Sequence, residues 1–265
     1  MLNKKNNNQY FIIFIIVGLF FAFNLVAVAS QQLTADEITD KVKENQADYQ
    51  NSKTQTEMVL IDQEGKEEEE IREIIMFEKD EGDDKVTMLM RFLSPKSVEG
   101  VTLLSIENGD KIYLYLPAYQ KPRRIAGSSK QENFMGTDFS YEDLSMDYQN
   151  DDYQRELLKE TEKQYILKAI TSDEELSYSQ FILYVNKEKF YVEKVEFFAL
   201  DGQHTKTLEI KEVNFDDEGK ITPMKMEMND IIDKHQTQMN INEIDYNLDL
   251  SDSFFTIRTL QRPRL

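Results

Sequence analysis

The sequence is punctuated by turn signals, an acidic or Asn residue with Gly, between short apolar runs, and its candidate strands follow one another at roughly ten residues. The signals are Asp62-Gln63-Glu64-Gly65, Glu81-Gly82-Asp83-Asp84, Asn108-Gly109-Asp110, Asp201-Gly202 and Asp217-Glu218-Gly219. Between them the side chains alternate with period two: Met58 and Leu60 belong to one strand, Ile71, Glu73, Ile75 and Phe77 to the next. Most of these runs have no helix-length segment between them. The pattern therefore predicts a mainly β chain, an antiparallel meander forming a sandwich or an open barrel.

Several strands are apolar on both faces. Val86, Met88, Met90 and Phe92 alternate with Thr87, Leu89, Arg91 and Leu93. Ile112, Leu114 and Leu116 alternate with Tyr113 and Tyr115, and Phe181, Leu183 and Val185 with Ile182 and Tyr184. A sheet with one wet face alternates apolar with polar, so both faces must be covered here or one must line an apolar cavity. Helices are too few for the first solution alone. Thr34-Ala35-Asp36-Glu37 is a capping box that starts a helix of about fourteen residues with Ile38, Val42 and Tyr49 on its buried stripe. A second, short helix is expected near Ser140 to Met146. Met224, Met226 and Met228 put three adaptable thioethers on one strand face, which suits either ordinary core or a ligand of variable shape. The run Glu67 to Glu70 reads as a solvated hairpin arm that discourages edge pairing.

Residues 1–30 read as an export signal. Lys4 and Lys5 precede the stretch Tyr10 to Val26, apolar apart from Asn24, and Ala27-Val28-Ala29 offers a cleavage site after Ala29, with Ser30 as the neighbouring option. The competing reading is an uncleaved anchor, because the apolar run is near the length that spans a bilayer. The chain has no cysteine, which excludes disulfides, thiolate metal sites and the lipidated Cys of a lipoprotein. Residues 31–265 are then the functional part, expected as a single domain. Removing residues 1–30 takes away two lysines and no acid, leaving 29 basic against 50 acidic residues and a net charge of −21. Nucleic acid is a poor partner for such a chain, and anionic membrane surfaces are disfavoured.

The stretch Tyr119 to Asp147 breaks the strand pattern and concentrates unusual residues. Arg123-Arg124 stands out in so acidic a chain, and Phe134-Met135-Gly136-Thr137-Asp138-Phe139-Ser140-Tyr141-Glu142-Asp143 carries a tight turn at Gly136 between aromatics. One reading is a mobile lid in which Phe134, Met135, Phe139 and Tyr141 cover an apolar cavity. The other is a long loop, and either is compatible with an ion pair from Arg124 to Asp138 or Asp143. No enzyme constellation emerges. His204 and His235 belong to no nucleophile or metal-ligand pattern, Ser128-Ser129-Lys130 lacks the S-x-x-K spacing, and Asp138, Glu142 and Asp143 as an acid/base pair carry little weight where acids are so common. No metal or cofactor motif is present either, so the sequence predicts a protein that is not an enzyme and needs no cofactor.

At this block the chain resembles a known family. Phe92-Leu93-Ser94-Pro95, Gly100-Val101-Thr102-Leu103-Leu104, Tyr113-Leu114-Tyr115-Leu116-Pro117, Arg123-Arg124-Ile125 and the run Phe134 to Asp143 are similar to the outer membrane lipoprotein-sorting proteins related to LolA. The resemblance implies an unclosed antiparallel β-barrel of about eleven strands wrapped around a few helices, with an apolar cavity for acyl chains. It also implies a periplasmic monomer that carries lipoprotein acyl chains or a lipid from an inner-membrane transporter of the RND or ABC type to an outer-membrane acceptor. On that reading Met90, Phe92, Leu114, Leu116, Met224, Met226 and Met228 line the cavity, Arg123 and Arg124 stand near its mouth, and Phe134, Met135, Phe139 and Tyr141 form the lid. The family's lid arginine matches no single position, which leaves Arg91, Arg123 and Arg124 open. An alternative role is a non-catalytic accessory protein docked on an RND-type exporter. The physics suits a carrier: an acyl chain exposed to water costs about 0.8 kcal/mol per CH₂, which an apolar container relieves.

Overall fold

Period-two alternation becomes thirteen strands in the computed structural model, which describes residues 32–61, 71–83, 85–149, 151, 153–171 and 176–265. The expected export signal, the turn at 62–65 and the acidic run 67–70 lie outside the described residues. The strands are β1 (Asn51–Ile61), β2 (Arg72–Gly82), β3 (Lys85–Ser94), β4 (Thr102–Ile106), β5 (Lys111–Leu116), β6 (Lys121–Ile125), β7 (Gln154–Glu160), β8 (Gln164–Ile170), β9 (Tyr178–Asn186), β10 (Val192–Ala199), β11 (His204–Phe215), β12 (Ile221–Asp230) and β13 (His235–Tyr246). They form one antiparallel sheet in the order β6-β5-β4-β3-β2-β1-β13-β12-β11-β10-β9-β8-β7. Two meanders, β1–β6 and β7–β13, are thus joined where β1 pairs with β13, with Met58 opposite Met239. The sheet ends at β6 and β7, which are consecutive in the chain yet unpaired, so the barrel is unclosed as expected.

The count exceeds the eleven that the resemblance implies, and some of the hairpins carry no glycine. The β5–β6, β9–β10 and β12–β13 turns place Gln120, Phe190 and Lys234 at positive φ (53°, 48° and 54°), so they carry no Gly signal. β6 also reads as a loop, because Lys121-Pro122-Arg123-Arg124 is polar and holds a proline, features that protect an edge strand from further pairing.

Helix α1 (Ala35–Asn45) begins at the predicted capping box: the Glu37 amide donates to Thr34 Oγ1 (3.2 Å) and the Thr34 amide to the Glu37 carboxylate (2.8 Å). It has eleven residues rather than fourteen, because Gln46 turns extended to bridge Ile221 and the Ala47 amide donates to the Ile221 carbonyl. Ile38 and Val42 are buried as expected, whereas Tyr49 lies beyond the helix end. The short helix expected at Ser140 to Met146 is a single 3₁₀ turn, Asp143–Ser145.

The doubly apolar strands of the first meander are covered by two irregular segments, together with α1 on the inner face. Ile74, Met76, Met88, Met90, Phe92, Leu103, Ile112 and Leu114 face inward and share one cluster with α1 and with Phe134, Phe139 and Tyr141. Phe77, Leu89 and Leu104 face outward and pack under the chain beyond β13, where Phe255 and Leu260 are buried and Phe254 and Leu265 complete the cover. Arg91 belongs to this outer layer. Its guanidinium donates to Thr102 Oγ1 (2.8 Å) and to the carbonyls of Thr259 (3.3 Å) and Leu260 (3.1 Å), pinning the C-terminal segment to β3. Arg91 is therefore excluded from the inner face. The outer surface of the other meander stays wet: Lys194 lies over the Tyr184 ring (3.7 Å) and bonds Glu196 (2.7 Å), while Lys211 pairs with Glu209 and Glu227.

Candidate functional site

The chain between the two sheet edges, residues 126–153, has to travel from β6 to β7, and it does so across the inner face. Its centre is a tight loop in which the Phe134 amide donates to the Phe139 carbonyl (2.7 Å) and Asn133 bridges Ser140. Met135 and Gly136 take successive positive φ values of 52° and 79°, and the Arg72 guanidinium holds the Met135 carbonyl at 2.6 Å. A Met at positive φ is an uncommon cost, here offset by that charge-assisted bond and by the burial of its neighbours. Phe134 stacks on Phe92 (5.4 Å) and meets Tyr141 edge-on (5.4 Å). Further along, a Cβ on Gly109 (φ +88°) would stand 2.8 Å from the Ser145 Cβ, so the segment passes this close over the β4–β5 turn only because residue 109 is glycine.

Three carboxylates fasten the segment to the opposite meander. Asp138 accepts from Thr237 Oγ1 (2.6 Å) and pairs with His235 Nδ1 (2.8 Å), both on β13. Glu142 accepts from the Ser177 amide (3.0 Å) and hydroxyl (2.7 Å). Asp143, whose side chain is fully buried, receives Lys206 Nζ (2.8 Å), the Tyr178 hydroxyl (2.7 Å) and the Ser140 amide (2.8 Å). Burial raises the Glu142 carboxyl above its ordinary value, an effect the Ser177 bonds partly offset. Burial likewise raises the Tyr178 hydroxyl, and the Asp143 charge adds to it. Tyr148, Tyr153 and Tyr178 surround Phe181 and Phe197 with ring centroids 5.1–6.0 Å apart, a mostly edge-on aromatic cluster behind the carboxylates.

Two sequence expectations need correction. The ion pair from Arg124 to Asp138 or Asp143 does not form, because Arg124 sits opposite Tyr113 and so shares its outward face, whereas both acids lie within. Their partners are His235 and Lys206. The expected lid is also a plug: Phe134, Phe139 and Tyr141 are buried in the inner core, with Met135 partly buried against it. Arg123 shares the inward face of Leu114 and stands beside the Tyr141 hydroxyl, holding down part of the upward shift that burial gives that group. Of the expected cavity residues, Met90, Phe92, Leu114 and Met228 are solid core and Leu116 packs partly buried against it. Met224 leaves the core toward the strand end, and Met226 reaches an open space.

That space is a cleft of about 780 Å³ between the end of α1, the β2–β3 hairpin, β12 and residues 144–149. Val86, Met88, Met226, Leu144, Met146 and Tyr148 make its apolar wall, and Tyr49 and Glu78 its polar end. The Tyr49 hydroxyl donates to Glu78 (3.0 Å). Burial lifts the Glu78 carboxyl, an effect the hydrogen bonds from the Tyr49 and Ser52 hydroxyls partly offset, while the Glu78 charge, with burial, lifts the Tyr49 hydroxyl. Sequence reading missed Glu78 although a signal was there. Ile74, Met76 and Glu78 follow one another on the same face, so an acid is written into an inward register.

Comparison with known proteins agrees with this fold. A family model described as "Uncharacterized protein" matches residues 84–262. No curated protein matches the sequence. Among solved structures, a domain described as an outer membrane lipoprotein-sorting protein from Vibrio parahaemolyticus is 24% identical, covers 86% of this chain and 98% of its own, and superposes with a TM-score of 0.79. A DUF1329-family protein from Desulfovibrio piger gives 24% identity, 86% and 98% coverage and 0.77. A LolA-superfamily protein from Nitrosomonas europaea gives 19%, 85% and 98%, and 0.68.

Proposed function

The chain belongs to the family matched over residues 84–262 and has the LolA-like fold, and we propose that it is an exported, periplasmic, non-catalytic carrier that binds the acyl chains of a lipoprotein or lipid and moves them toward the outer membrane. The observation that carries this reading is the cleft on the inner face. Its volume of about 780 Å³ lies in the range of ligand pockets, roughly 300–1,000 Å³. Two of its wall residues are Met88 and Met226, on strands from the two different meanders, and such side chains repack around cargo of varying shape. The sorting domain and the LolA-superfamily protein of the same fold support the reading, as does the signal-like stretch ahead of residue 31. The cargo chain lies along Met88, Leu144, Met146, Tyr148 and Met226 rather than among the plugged residues Phe92, Leu114 and Phe134. Release needs no reaction, only a receiver that binds the chain better than the cleft does.

Native mass spectrometry of the exported protein tests this. The wild type is expected to carry a co-purifying lipid or acylated peptide, and Met226→Trp, which fills the cleft, to lose it. Repeated absence of any such species from the wild type, with no uptake of a fluorescent fatty acid, overturns the carrier reading. A second reading, an accessory protein docked on an RND-type exporter, is favoured by Leu200, Ile231 and Ile232, aliphatics 66%, 44% and 51% exposed on neighbouring hairpin tips. Pull-down of a membrane transporter by Met226→Trp as efficiently as by the wild type supports docking independent of the cleft.

A further inference from the structure

The polar end of the cleft has acceptors in excess of donors. On β2, Glu78 continues the inward row of Ile74 and Met76, and it stands opposite Ser52 on β1 and Met88 on β3. Its Oε2 receives the Tyr49 hydroxyl at 3.0 Å and the Ser52 hydroxyl at 3.5 Å. Among the described residues nothing donates to Oε1, and no lysine or arginine pairs with the carboxylate. Gln149 belongs to the same lining, and its Oε1 is buried with no hydrogen-bond partner. Unsatisfied acceptors in a partly desolvated site cost free energy unless a donor arrives with the ligand. The surrounding charge has the same sign: Glu44, Asp48, Asp80, Asp83 and Asp147 join Glu78 on the lining against Lys43 and Lys220. Both lysines are already engaged, Lys43 with Asp151 at 2.9 Å and Lys220 with the Glu44 carbonyl.

We propose that the cleft selects an amphiphile with an ammonium head group, its alkyl chain along Met88, Met146, Tyr148 and Met226 and its N–H donors at Glu78 Oε1 and Gln149 Oε1. This rests on the carrier reading and adds to it the charge of the cargo. An ammonium supplies several donors and the compensating positive charge at once, whereas a carboxylate or phosphate head would meet unpaired acceptors and like charge. The burial that lifts the Glu78 carboxyl is the cost such a head group removes.

Isothermal titration at pH 7 with decylamine, decanol and decanoate, each below its aggregation limit, is the test. Decylamine is expected to bind at least about tenfold tighter than decanoate, as charge-assisted hydrogen bonds of this kind provide. Glu78→Gln, nearly the same shape, is expected to weaken decylamine about tenfold and so to narrow its advantage over decanoate. Decanoate binding as tightly as decylamine to the wild type, or an unaltered preference in Glu78→Gln, overturns the proposal. Should Glu78→Gln lose its circular dichroism spectrum, the wild-type ratio decides alone. If decanol binds but decylamine binds no better, the head-group assignment falls and the carrier stands; if none of the three binds, both fall.

Discussion

Two irregular segments cover the first meander, one on each face, and they do so by different means. The outer one, beyond β13, buries Phe255 and Leu260 on Phe77, Leu89 and Leu104 and is tied by Arg91, which donates to its carbonyls. Its cover is apolar and packs chiefly on β2–β5. The inner one, residues 126–153, buries Phe134, Phe139 and Tyr141 on the same strands, yet its carboxylates reach across to β11, β13 and the start of β9. An apolar cover needs only complementary shape, whereas a carboxylate buried against Lys206 and a tyrosine demands one position. The inner segment is thereby held at a fixed height over the sheet, which leaves the cleft beside it.

Breaking the inner fastening should have the largest effect. Asp143→Ala leaves Lys206 buried without its partner and is expected to cost about 3–5 kcal/mol in urea unfolding. It should also weaken cargo retention, because residues 144–149 form one wall of the cleft. On the outer face, Leu260→Ala removes a fully buried side chain and is expected to cost about 2–5 kcal/mol, with binding in the cleft unchanged. Loss of binding with Leu260→Ala would show that the two covers are coupled through the sheet. The smallest effect belongs to Glu142. Its carboxyl is raised in the folded state, so the native protein keeps a proton that the unfolded chain has lost, and stability declines as pH rises from the ordinary carboxylate value, 4.5, toward the raised one. Compared with Glu142→Gln, the wild type should therefore gain stability as pH is lowered through that window, by less than either substitution above. An identical pH profile for the two proteins would mean that the Ser177 bonds fully compensate burial.

Much of this fold was legible in the chain. The capping box at Thr34, the antiparallel meander and the doubly apolar strands depend on spacing alone, and local sequence dictates them through backbone geometry. The crossing segment was visible too as the dense run Phe134 to Asp143, but its role was not. Arg124 looked like the partner of its acids because it is near in sequence and scarce in sign. Strand parity turns it outward, and the true partners, Lys206 and His235, come from strands 63 and 97 residues away. Nothing local marks those two residues.

By itself, then, the sequence determined the elements, their alternation and the need for a cover on each face. Tertiary structure alone decided that the segment joining the two free edges fills the inner face, that the chain end seals the outer one, and that the remaining space lies between Met88 and Met226 with Glu78 at its end. The physical reason is that alternation fixes which face a side chain takes, while its neighbours across a thirteen-stranded sheet follow from register and closure, which no local pattern encodes.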